Sequence, residues 1–319
     1  MRKLFYTLAL LALTSSTVVG QTFGLASLFK PGMRVSGGFV PEVDLSDSLS
    51  MGFSGAAVTA VVPLKGDVSI DIKKLKASAS AAFWTIGARA RMLTFNGTGD
   101  GVPENRLAYT FGTGVTGVTA GTGRGVWAYS VNIGLLQDPG VKSTYQPYAA
   151  AGLLRVKIKG VHRQNFFGVG AAWNGRTFIP VPILGARRKL AKGMHVTVLL
   201  PIQADITWKP VKKFEIDLWN RLASFRTSFL YRPSVGEEED RMLNYRSLNT
   251  SLVAQYKFSG KFKLIAEGGY SYLRNLGFET TDKEDIVEYT SNAVPYVRVS
   301  ARLNFGSSPV ASQLFGTDL

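Results

Sequence analysis

Two histidines and the polar groups near them have the clearest capacity for acid–base chemistry. His195 is followed by Thr197 and Asp205, which could together polarise a hydroxyl nucleophile. His162 is distant in the chain, so a shared metal site is not expected. The chain has no cysteine, which excludes thiol catalysis, disulfides and Cys-ligated zinc. We expect no enzymatic centre, no metal and no cofactor, and interpret His195 as a histidine of the lumen or of the barrel rim.

A run of four acidic residues offers a second candidate site. Glu237 to Asp240 could bind Ca²⁺ through carboxylate oxygens. The run lacks the spaced Asp and Gly pattern of a calcium loop, so a solvated acidic loop is the better interpretation.

The segment 192–231 shows the pattern on which the fold prediction depends. Apolar and polar residues alternate through Val196–Leu200, Ala204–Trp208 and Phe214–Leu218. This period of two indicates strands with one apolar and one polar face, and the short Pro- and Lys-containing breaks indicate tight turns. Around Asn220 the apolar positions change parity, which predicts a β-bulge.

The same alternation covers most of the chain and favours a membrane barrel over a soluble sandwich. Residues 1–20 have the basic, apolar and small-residue order of a cleaved signal peptide. No later apolar run is long enough for a spanning helix, so strands must cross any membrane. We predict a barrel over 21–305 and a short periplasmic tail over 306–319.

Loop lengths predict the number of strands and their orientation. Short turns near 121, 160, 191, 210 and 259 alternate with long loops near 100, 140, 237 and 284. Bacterial barrels have short periplasmic turns, longer outer loops and an even strand number. The prediction is therefore an all-β, antiparallel up-and-down transmembrane barrel of about fourteen strands, with twelve as the alternative. Pro180 and Pro182 predict a bend or irregular start of their strand.

Charge placement points to a basic interior. The charged residues predicted to line the lumen are Arg89, Arg91, Arg155, Lys157, Asp205, Glu215, Asp217, Lys257, Lys263, Glu267, Arg298 and Arg302. Bases exceed acids in this set, as they do in the whole chain, whose net charge is +15. A wet lumen with positive potential would favour anions. The bases lie on alternating strands and no nucleic-acid-binding motif is present, so nucleic acid is not an expected partner.

The final strand and one internal segment carry a family resemblance. The strand 296–305, which alternates and ends at Phe305, resembles the C-terminal signal that outer-membrane barrels present to the assembly machinery, although 306–319 follow it. The segment PVPILGARRKLAKGMHVTVLLP (180–201) is similar to an uncharacterised Gram-negative outer-membrane β-barrel family. The resemblance implies outer-membrane lipid and the barrel-assembly machinery as partners, and no catalytic residues.

These observations favour a passive pore or small-solute channel that admits small anionic solutes. The alternative is a narrow barrel, filled by its own side chains, with a structural or partner-docking role. An enzyme is the weakest of the three hypotheses.

Overall fold

In the computed structural model, the fold is built from consecutive β-strands. It describes residues 31–47, 49–71, 76–97, 105–121, 125–137, 146–159, 163–173, 178–231, 239–280 and 286–305. None of these residues lies in a helix that could cross a membrane. The predictions for 1–20 and 306–319 lie outside the described residues.

Fifteen strands follow one another in the described part of the chain. The first eight are β1 (Gly32–Ser46), β2 (Leu49–Asp71), β3 (Lys76–Gly97), β4 (Arg106–Gly121), β5 (Gly125–Gln137), β6 (Gln146–Ile158), β7 (Arg163–Trp173) and β8 (Phe178–Ala191). The others are β9 (Met194–Leu200), β10 (Gln203–Val211), β11 (Phe214–Tyr231), β12 (Glu239–Lys257), β13 (Phe262–Thr280), β14 (Ile286–Ser291) and β15 (Val294–Asn304).

The strands form one closed antiparallel barrel. Each strand from β1 to β13 pairs with its sequence neighbours, and β15 pairs with both β13 and β1 to close the ring. β14 continues β15 along β13, because Ser291 pairs with Arg274 and Val294 pairs with Ser271 in one register. The ring therefore has 14 positions, which confirms the predicted fourteen-stranded barrel.

The two ends of the barrel differ, as the loop lengths predicted. One end, here called the turn end, has the short connections near 122, 160, 192, 212 and 260. It also has the start of β1 and the end of β15, where the Phe305 amide donates to the Pro31 carbonyl at 3.2 Å. The opposite end, here called the loop end, has the longer connections near 100, 141, 235 and 283, together with shorter ones near 48 and 175. The two-residue turn of the β9–β10 hairpin points towards the same end.

The outward face has the surface of a membrane-spanning barrel. Its middle consists of exposed aliphatic side chains: Val35, Val58, Ile86, Val115, Val131, Ile133, Val169, Leu184, Leu218, Leu252, Val297 and Val299. Exposed aromatic residues lie towards both ends of the strands: Trp84, Tyr129, Trp208, Tyr256, Phe258, Phe262 and Phe305 towards the turn end, and Phe111, Trp173, Phe178 and Tyr270 towards the loop end. An apolar band between aromatic girdles is the surface that a bilayer requires of a barrel.

The predicted β-bulge near Asn220 is wrong. β11 pairs with β12 without a register shift from Phe214 to Tyr231. Phe225 therefore faces inward, as Asp217 does. The change of pattern has another cause. Beyond Leu222 the inner face includes the buried Phe225, and on the opposite face Arg226 is paired with Glu279 at 3.1 Å.

Two strands extend further than the sequence indicated. β12 already includes Glu239, at the end of the predicted acidic loop, and β13 continues to Thr280. Long antiparallel pairing between β12 and β13 reaches Arg241 and Thr280. The polar composition of these segments reflects strands that continue past the apolar band.

The wall has a gap above the short β9–β10 hairpin. β9 ends at Leu200, and its pairing with β8 extends only to Leu184, so among the described residues Phe178–Ile183 pair with β7 alone. On the other side of the hairpin, β10 pairs with β11 as far as Arg221, and the Leu222 amide donates to the Ile202 carbonyl at 3.5 Å. From Ala223 onward, strand pairing within the described residues joins β11 to β12 alone. The gap therefore lies between β8 and β11, on the loop-end side of the hairpin.

This gap explains the two prolines of β8. The predicted bend or irregular start is wrong, because β7 and β8 pair without a register shift from Arg163 to Trp173. A proline nitrogen cannot donate to a ladder, so the unbroken β7–β8 ladder requires the nitrogens of Pro180 and Pro182 to face the other side of β8. On that side β9 has already ended.

The barrel is flattened, and its interior is narrow. Cα atoms of β5 and β11, which lie on nearly opposite sides of the ring, come within 8 Å of one another. Opposite walls can therefore pack against each other. In a first cluster, on the side of β2–β9, Val61, Phe83, Val118, Val156 and Phe166 are buried. These inward apolar side chains leave the remaining sector of the lumen for the charged residues.

A second apolar cluster lies near the loop end. Here called the loop-end cluster, it consists of Leu45, Leu49, Met51, Leu93, Phe95, Phe225, Leu243, Tyr245, Leu276 and Phe278. The rings of Phe225 and Tyr245 stack with centroids 4.9 Å apart, and Phe53 meets both edge-on at 5.5 Å. The cluster joins strands β1–β3 to strands β11–β13 across the lumen.

Candidate functional site: the basic lumen

Most of the predicted lumen residues lie on the inner face. The inward residues are Arg89, Arg91, Asp205, Glu215, Asp217, Lys257, Lys263, Glu267, Arg298 and Arg302, which alternate with exposed apolar residues of the same strands. They converge on the side of the barrel formed by β10–β15, β1 and β3. The closure of the ring between β1 and β15 brings the arginines of β3 and β15 to this one side.

The prediction is wrong for Arg155 and Lys157. In β6 the buried side chains are Leu154, 6% exposed, and Val156, 2% exposed, whereas Leu153 on the face of Arg155 is 45% exposed. Arg155 and Lys157 therefore face outward. The Arg155 guanidinium lies 5.6 Å from the centre of the outward Trp127 ring. Near the end of a strand a long basic side chain can reach the headgroup region, so charge does not identify the inner face there.

A first set of inner charges forms a hydrogen-bonded network near the turn end, here called the paired layer. Lys263 Nζ donates to Gln255 Oε1 at 2.7 Å, and Gln255 Nε2 donates to Glu215 Oε1 at 3.0 Å and to Asp217 Oδ2. Glu215 also pairs with Lys209 at 3.1 Å. Acids and bases balance one another in this layer, as buried charges require.

A second set surrounds a cavity further towards the loop end, here called the arginine chamber. Its volume is about 80 Å³, and Arg89, Arg91, Arg221, Arg298 and Glu267 are its charged lining residues. The positive charge of Arg91 is repelled by those of Arg89 and Arg298. Four guanidinium groups therefore share the wall of one small cavity with a single carboxylate.

Glu267 neutralises only part of this charge. Its carboxylate accepts hydrogen bonds from the Tyr296 hydroxyl at 2.9 Å and from Arg298 Nη1 at 3.4 Å. Among the described residues, Arg89 and Arg91 have no hydrogen bond or ion pair. The Arg91 guanidinium instead lies 3.8 Å from the centre of the Phe225 ring, a cation–π contact that leaves its N–H groups unused.

An apolar cover bounds the chamber towards the loop end. Phe225 and Tyr245 line the chamber and belong to the loop-end cluster, so that cluster forms its cover. The lining also includes Leu222, Ala223 and Ser224. These three residues follow the last residue of β11 that pairs with β10, which is Arg221.

The inner arginines that were missed from the sequence include Arg221, Arg34 and Arg274. Arg221 was hidden by the supposed bulge, although it continues the odd-numbered face of Glu215 and Asp217. Arg34 alternates with Met33 and Val35 in β1, and it donates to Ser300 Oγ at 2.9 Å. Continued alternation was the signal for both residues.

For Arg274, alternation along the strand did not indicate an inward side chain. It follows Leu273, whose positive φ of 50° accompanies a register shift between β12 and β13 that reverses the face of the later residues. Its side chain is 1% exposed, and Nε donates to the Tyr245 hydroxyl at 2.8 Å. Neither Nη atom has a partner among the described residues.

The residues considered for catalysis and calcium binding form no such centre in the described part of the chain. His195, Thr197 and Asp205 face inward on β9 and β10, where Gln203 donates to Asp205 at 3.4 Å. The described residues include no group of three potential metal ligands. His162 and the residues 237–238 lie outside the described residues.

Comparison with known proteins adds little to this geometry. No protein-family model matches the chain, and no curated protein matches it. Among solved structures, the transport unit of the autotransporter AIDA-I from Escherichia coli is similar with a TM-score of 0.36 and 10% identity, over 92% of this chain and 96% of that one. The β domain of the Bordetella autotransporter BrkA has a TM-score of 0.27 and 12% identity, over 86% of this chain and 100% of that one. The TodX monoaromatic hydrocarbon channel has a TM-score of 0.24 and 10% identity, over 87% of this chain and 90% of that one. Likeness at this level carries no functional information.

Proposed function

We propose that the chain is an integral outer-membrane barrel that passes small anionic solutes through a narrow basic lumen. Residues 1–20 would direct export as a cleaved signal peptide, and the barrel-assembly machinery would insert the barrel into outer-membrane lipid. One observation supports the solute class: four arginines and one glutamate line the arginine chamber. An enzymatic role has no support from the inner-face residues described above.

The charge imbalance gives the physical reason. Like charges at a cavity wall cost free energy unless water or a counterion screens them. Arg89 and Arg91 have no ionic partner among the described residues, so a solute anion can take that place. A narrow lumen with low-dielectric walls also concentrates the field along the path of an ion.

Conductance measurements test this proposal. The purified protein is inserted into planar bilayers, and reversal potentials are measured in a KCl gradient. We expect anion preference that falls when Arg89→Glu and Arg298→Glu are combined. Arg155→Glu, which changes the same charge type on the outward face, is the matched control and should leave selectivity unchanged. Cation preference of the parent protein would contradict the proposal.

A structural or docking role is the second candidate, and the flattened interior supports it. Opposite walls pack through the first apolar cluster, and the loop-end cluster covers the chamber. A barrel filled in this way would be folded and inserted, yet it would show no single-channel conductance. Complete absence of conductance in a heat-modifiable, correctly folded sample would therefore favour this role.

A further inference from the structure

The arginine chamber adjoins a second cavity, here called the glycine cavity, whose volume is about 70 Å³. Arg89, Arg91 and Arg298 line both cavities. On the inner faces of β1 and β2, the lining of the glycine cavity includes the small residues Ser36, Gly38, Gly55 and Ala57. The same three arginines therefore border a cavity on two sides instead of being packed between large side chains.

Two glycines keep the space beside these arginines free. Gly55 pairs with Arg91, and Gly38 pairs with Arg298. A Cβ at Gly55 would lie 2.8 Å from the Ala90 carbonyl oxygen and 3.7 Å from Arg91 Cβ. A Cβ at Gly38 would lie 3.6 Å from Arg298 Cβ. A larger residue at either position would thus take up room that the arginine side chains and a ligand could share.

Two of the four guanidinium groups of the chamber lie against aromatic rings. Arg91 is 3.8 Å from the centre of the Phe225 ring, and Arg221 is 3.2 Å from the centre of the Trp219 ring. A cation–π contact holds a guanidinium group in place without using its N–H donors. Within the described residues neither of these two arginines has a hydrogen bond, so their donors are available to an acceptor.

The carboxylates near the chamber compensate only part of its positive charge. Glu267 pairs with Arg298 at 3.4 Å, and Arg221 is attracted by Glu267 and by Asp205. The two arginines of β3 have no carboxylate partner in the part of the chain that the structure describes. Two positive charges therefore remain, and one ion with two negative charges would match them. A monovalent anion would leave one of them uncompensated.

The shape and the polar lining of the chamber favour a small oxyanion. Ser247, Asn249, Ser251 and Ser271 add neutral hydrogen-bonding groups to the wall. Guanidinium groups bind phosphate-type oxygens through charge-assisted, often paired hydrogen bonds. A tetrahedral oxyanion presents oxygens in several directions, so it can accept from several strands at once. A cavity of about 80 Å³ can hold one such ion but not a large headgroup.

We propose that the arginine chamber binds a free, doubly charged tetrahedral oxyanion of the phosphate or sulfate class. Arg89 and Arg91 donate to its oxygens from β3, and Arg221 and Arg298 complete the positive wall from β11 and β15. The ion thus joins strands on opposite sides of the chamber. The inference rests on the basic lumen of the proposed function and names the class of anion that the lumen holds.

Calorimetric titration of inorganic phosphate into the purified barrel in detergent tests the site. We expect saturable binding that weakens by at least about tenfold when Arg89→Gln and Arg91→Gln are combined, because two charge-assisted contacts are lost. The variant carrying Arg155→Gln and Lys157→Gln loses two charges from the outward face and should bind as the parent does. Equal binding by both variants would overturn the inference.

The pH dependence of binding tests the charge of the bound ion. Phosphate gains its second negative charge between about pH 5 and about pH 8, whereas sulfate carries two charges throughout. The affinity for phosphate relative to that for sulfate should therefore rise by at least about tenfold over this range. A constant ratio would overturn the inference. So would displacement of phosphate by chloride as effective as displacement by sulfate at equal ionic strength, because anions would then only screen the lumen.

Two further measurements separate charge from packing and a free ion from a lipid headgroup. Glu267→Gln removes the competing carboxylate and should tighten phosphate binding. A loss of affinity as large as that of the Arg89 and Arg91 variant would contradict the role assigned to charge. Glycerol 3-phosphate carries the same group on the backbone of a lipid headgroup and should compete far more weakly. Competition as strong as that of phosphate itself would overturn the assignment to a free ion.

The two proposals fail in distinguishable ways. Saturable phosphate binding by a barrel that shows no conductance would contradict the small-solute channel alone. Anion-selective conductance without saturable phosphate binding would contradict the oxyanion site alone. Heat modifiability in gels shows that each variant is folded before it is compared.

Discussion

Glu267 is the residue on which the charge balance of the arginine chamber depends. Its carboxylate is 7% exposed, and it contacts both Tyr296 and Arg298. Replacement by glutamine keeps the shape and removes the negative charge. The barrel must then hold the same guanidinium groups without their one carboxylate.

We predict that Glu267→Gln lowers the free energy of unfolding by about 1–3 kcal/mol, the usual cost of leaving a buried polar group without its partner. A value near the lower end is expected, since a third of the Arg298 side chain is exposed and solvent screens it. Urea unfolding in lipid vesicles measures the change, and added phosphate should reduce it. Glu288→Gln, at an exposed position, is the control. Equal shifts in both variants would contradict the role assigned to Glu267.

Val299 provides the second prediction at this scale. It is exposed on the outer face of β15, within the apolar band. Val299→Arg should lower the free energy of unfolding by about 2–4 kcal/mol, the cost of a basic side chain near the bilayer midplane. Val299→Ala controls for the lost side-chain volume and should cost much less. Similar yields of folded barrel from both variants would mean that the inner and outer faces are misassigned. Ser300→Arg is unsuitable as a tolerated control, because Ser300 is buried and accepts a hydrogen bond from Arg34.

Alternation predicted single residues well only where one face meets hydrocarbon. Val297, Val299 and Leu303 are the apolar members of the alternation in the final strand, and all three are exposed on the outer face. Arg155 and Lys157 were misassigned because the alternation argument places every charged side chain on the inner face. Near the turn end the outer face meets lipid headgroups and water, while the inner face of β6 meets the first apolar cluster. In β6, therefore, the charged side chains face outward and the apolar side chains face inward.

At the scale of elements, the tight turn between β8 and β9 depends on one glycine. Gly193 has a φ of +72°, and a Cβ there would lie 2.6 Å from the Lys209 carbonyl oxygen. The left-handed region costs other residues about 1–2 kcal/mol. Gly193→Ala should therefore lower the free energy of unfolding by at least about that amount, measured by urea unfolding in vesicles.

Gly260 offers a matched control for this substitution. It lies in another turn at the same end, between β12 and β13, and a Cβ there would meet nothing within 4 Å. Gly260→Ala should be close to neutral. If the two variants unfold at the same urea concentration, the left-handed conformation of Gly193 is not the reason for the glycine.

The positions of most strands could be predicted from the sequence, but their relative lengths could not. The clearest case is the short β9–β10 hairpin. Pro201 was identified as a break, and Pro180 and Pro182 as an irregularity, yet no local pattern indicates that β8 and β11 continue past the hairpin. That fact depends on pairing with β7 and β12. The different lengths of these strands, and the contribution of Leu222, Ala223 and Ser224 to the chamber wall, are therefore visible only in three dimensions.

At the scale of the whole molecule, the fold predicts which end faces the cell exterior. Short turns belong on the periplasmic side and long loops outside. The chain has no cysteine, so single introduced thiols can be followed without background. Glu288→Cys at the loop end should react with an impermeant thiol reagent on intact cells, and Lys192→Cys at the turn end should react only after the outer membrane is permeabilised. Labelling of Lys192→Cys alone on intact cells would reverse the orientation.

The closure between β1 and β15 has a consequence for how the fold is encoded. Gly32 pairs with Asn304, so the two ends of the ring are neighbours at the turn end. A circular permutant could join these ends through a short linker and begin at another turn-end connection, such as that between β10 and β11, with every strand pair retained. Such a chain should refold in detergent, because the stability of the ring does not depend on where the chain starts. In cells it would present a different final strand to the assembly machinery. Permutation can therefore separate the sequence information that specifies the barrel from the information that delivers it to the membrane.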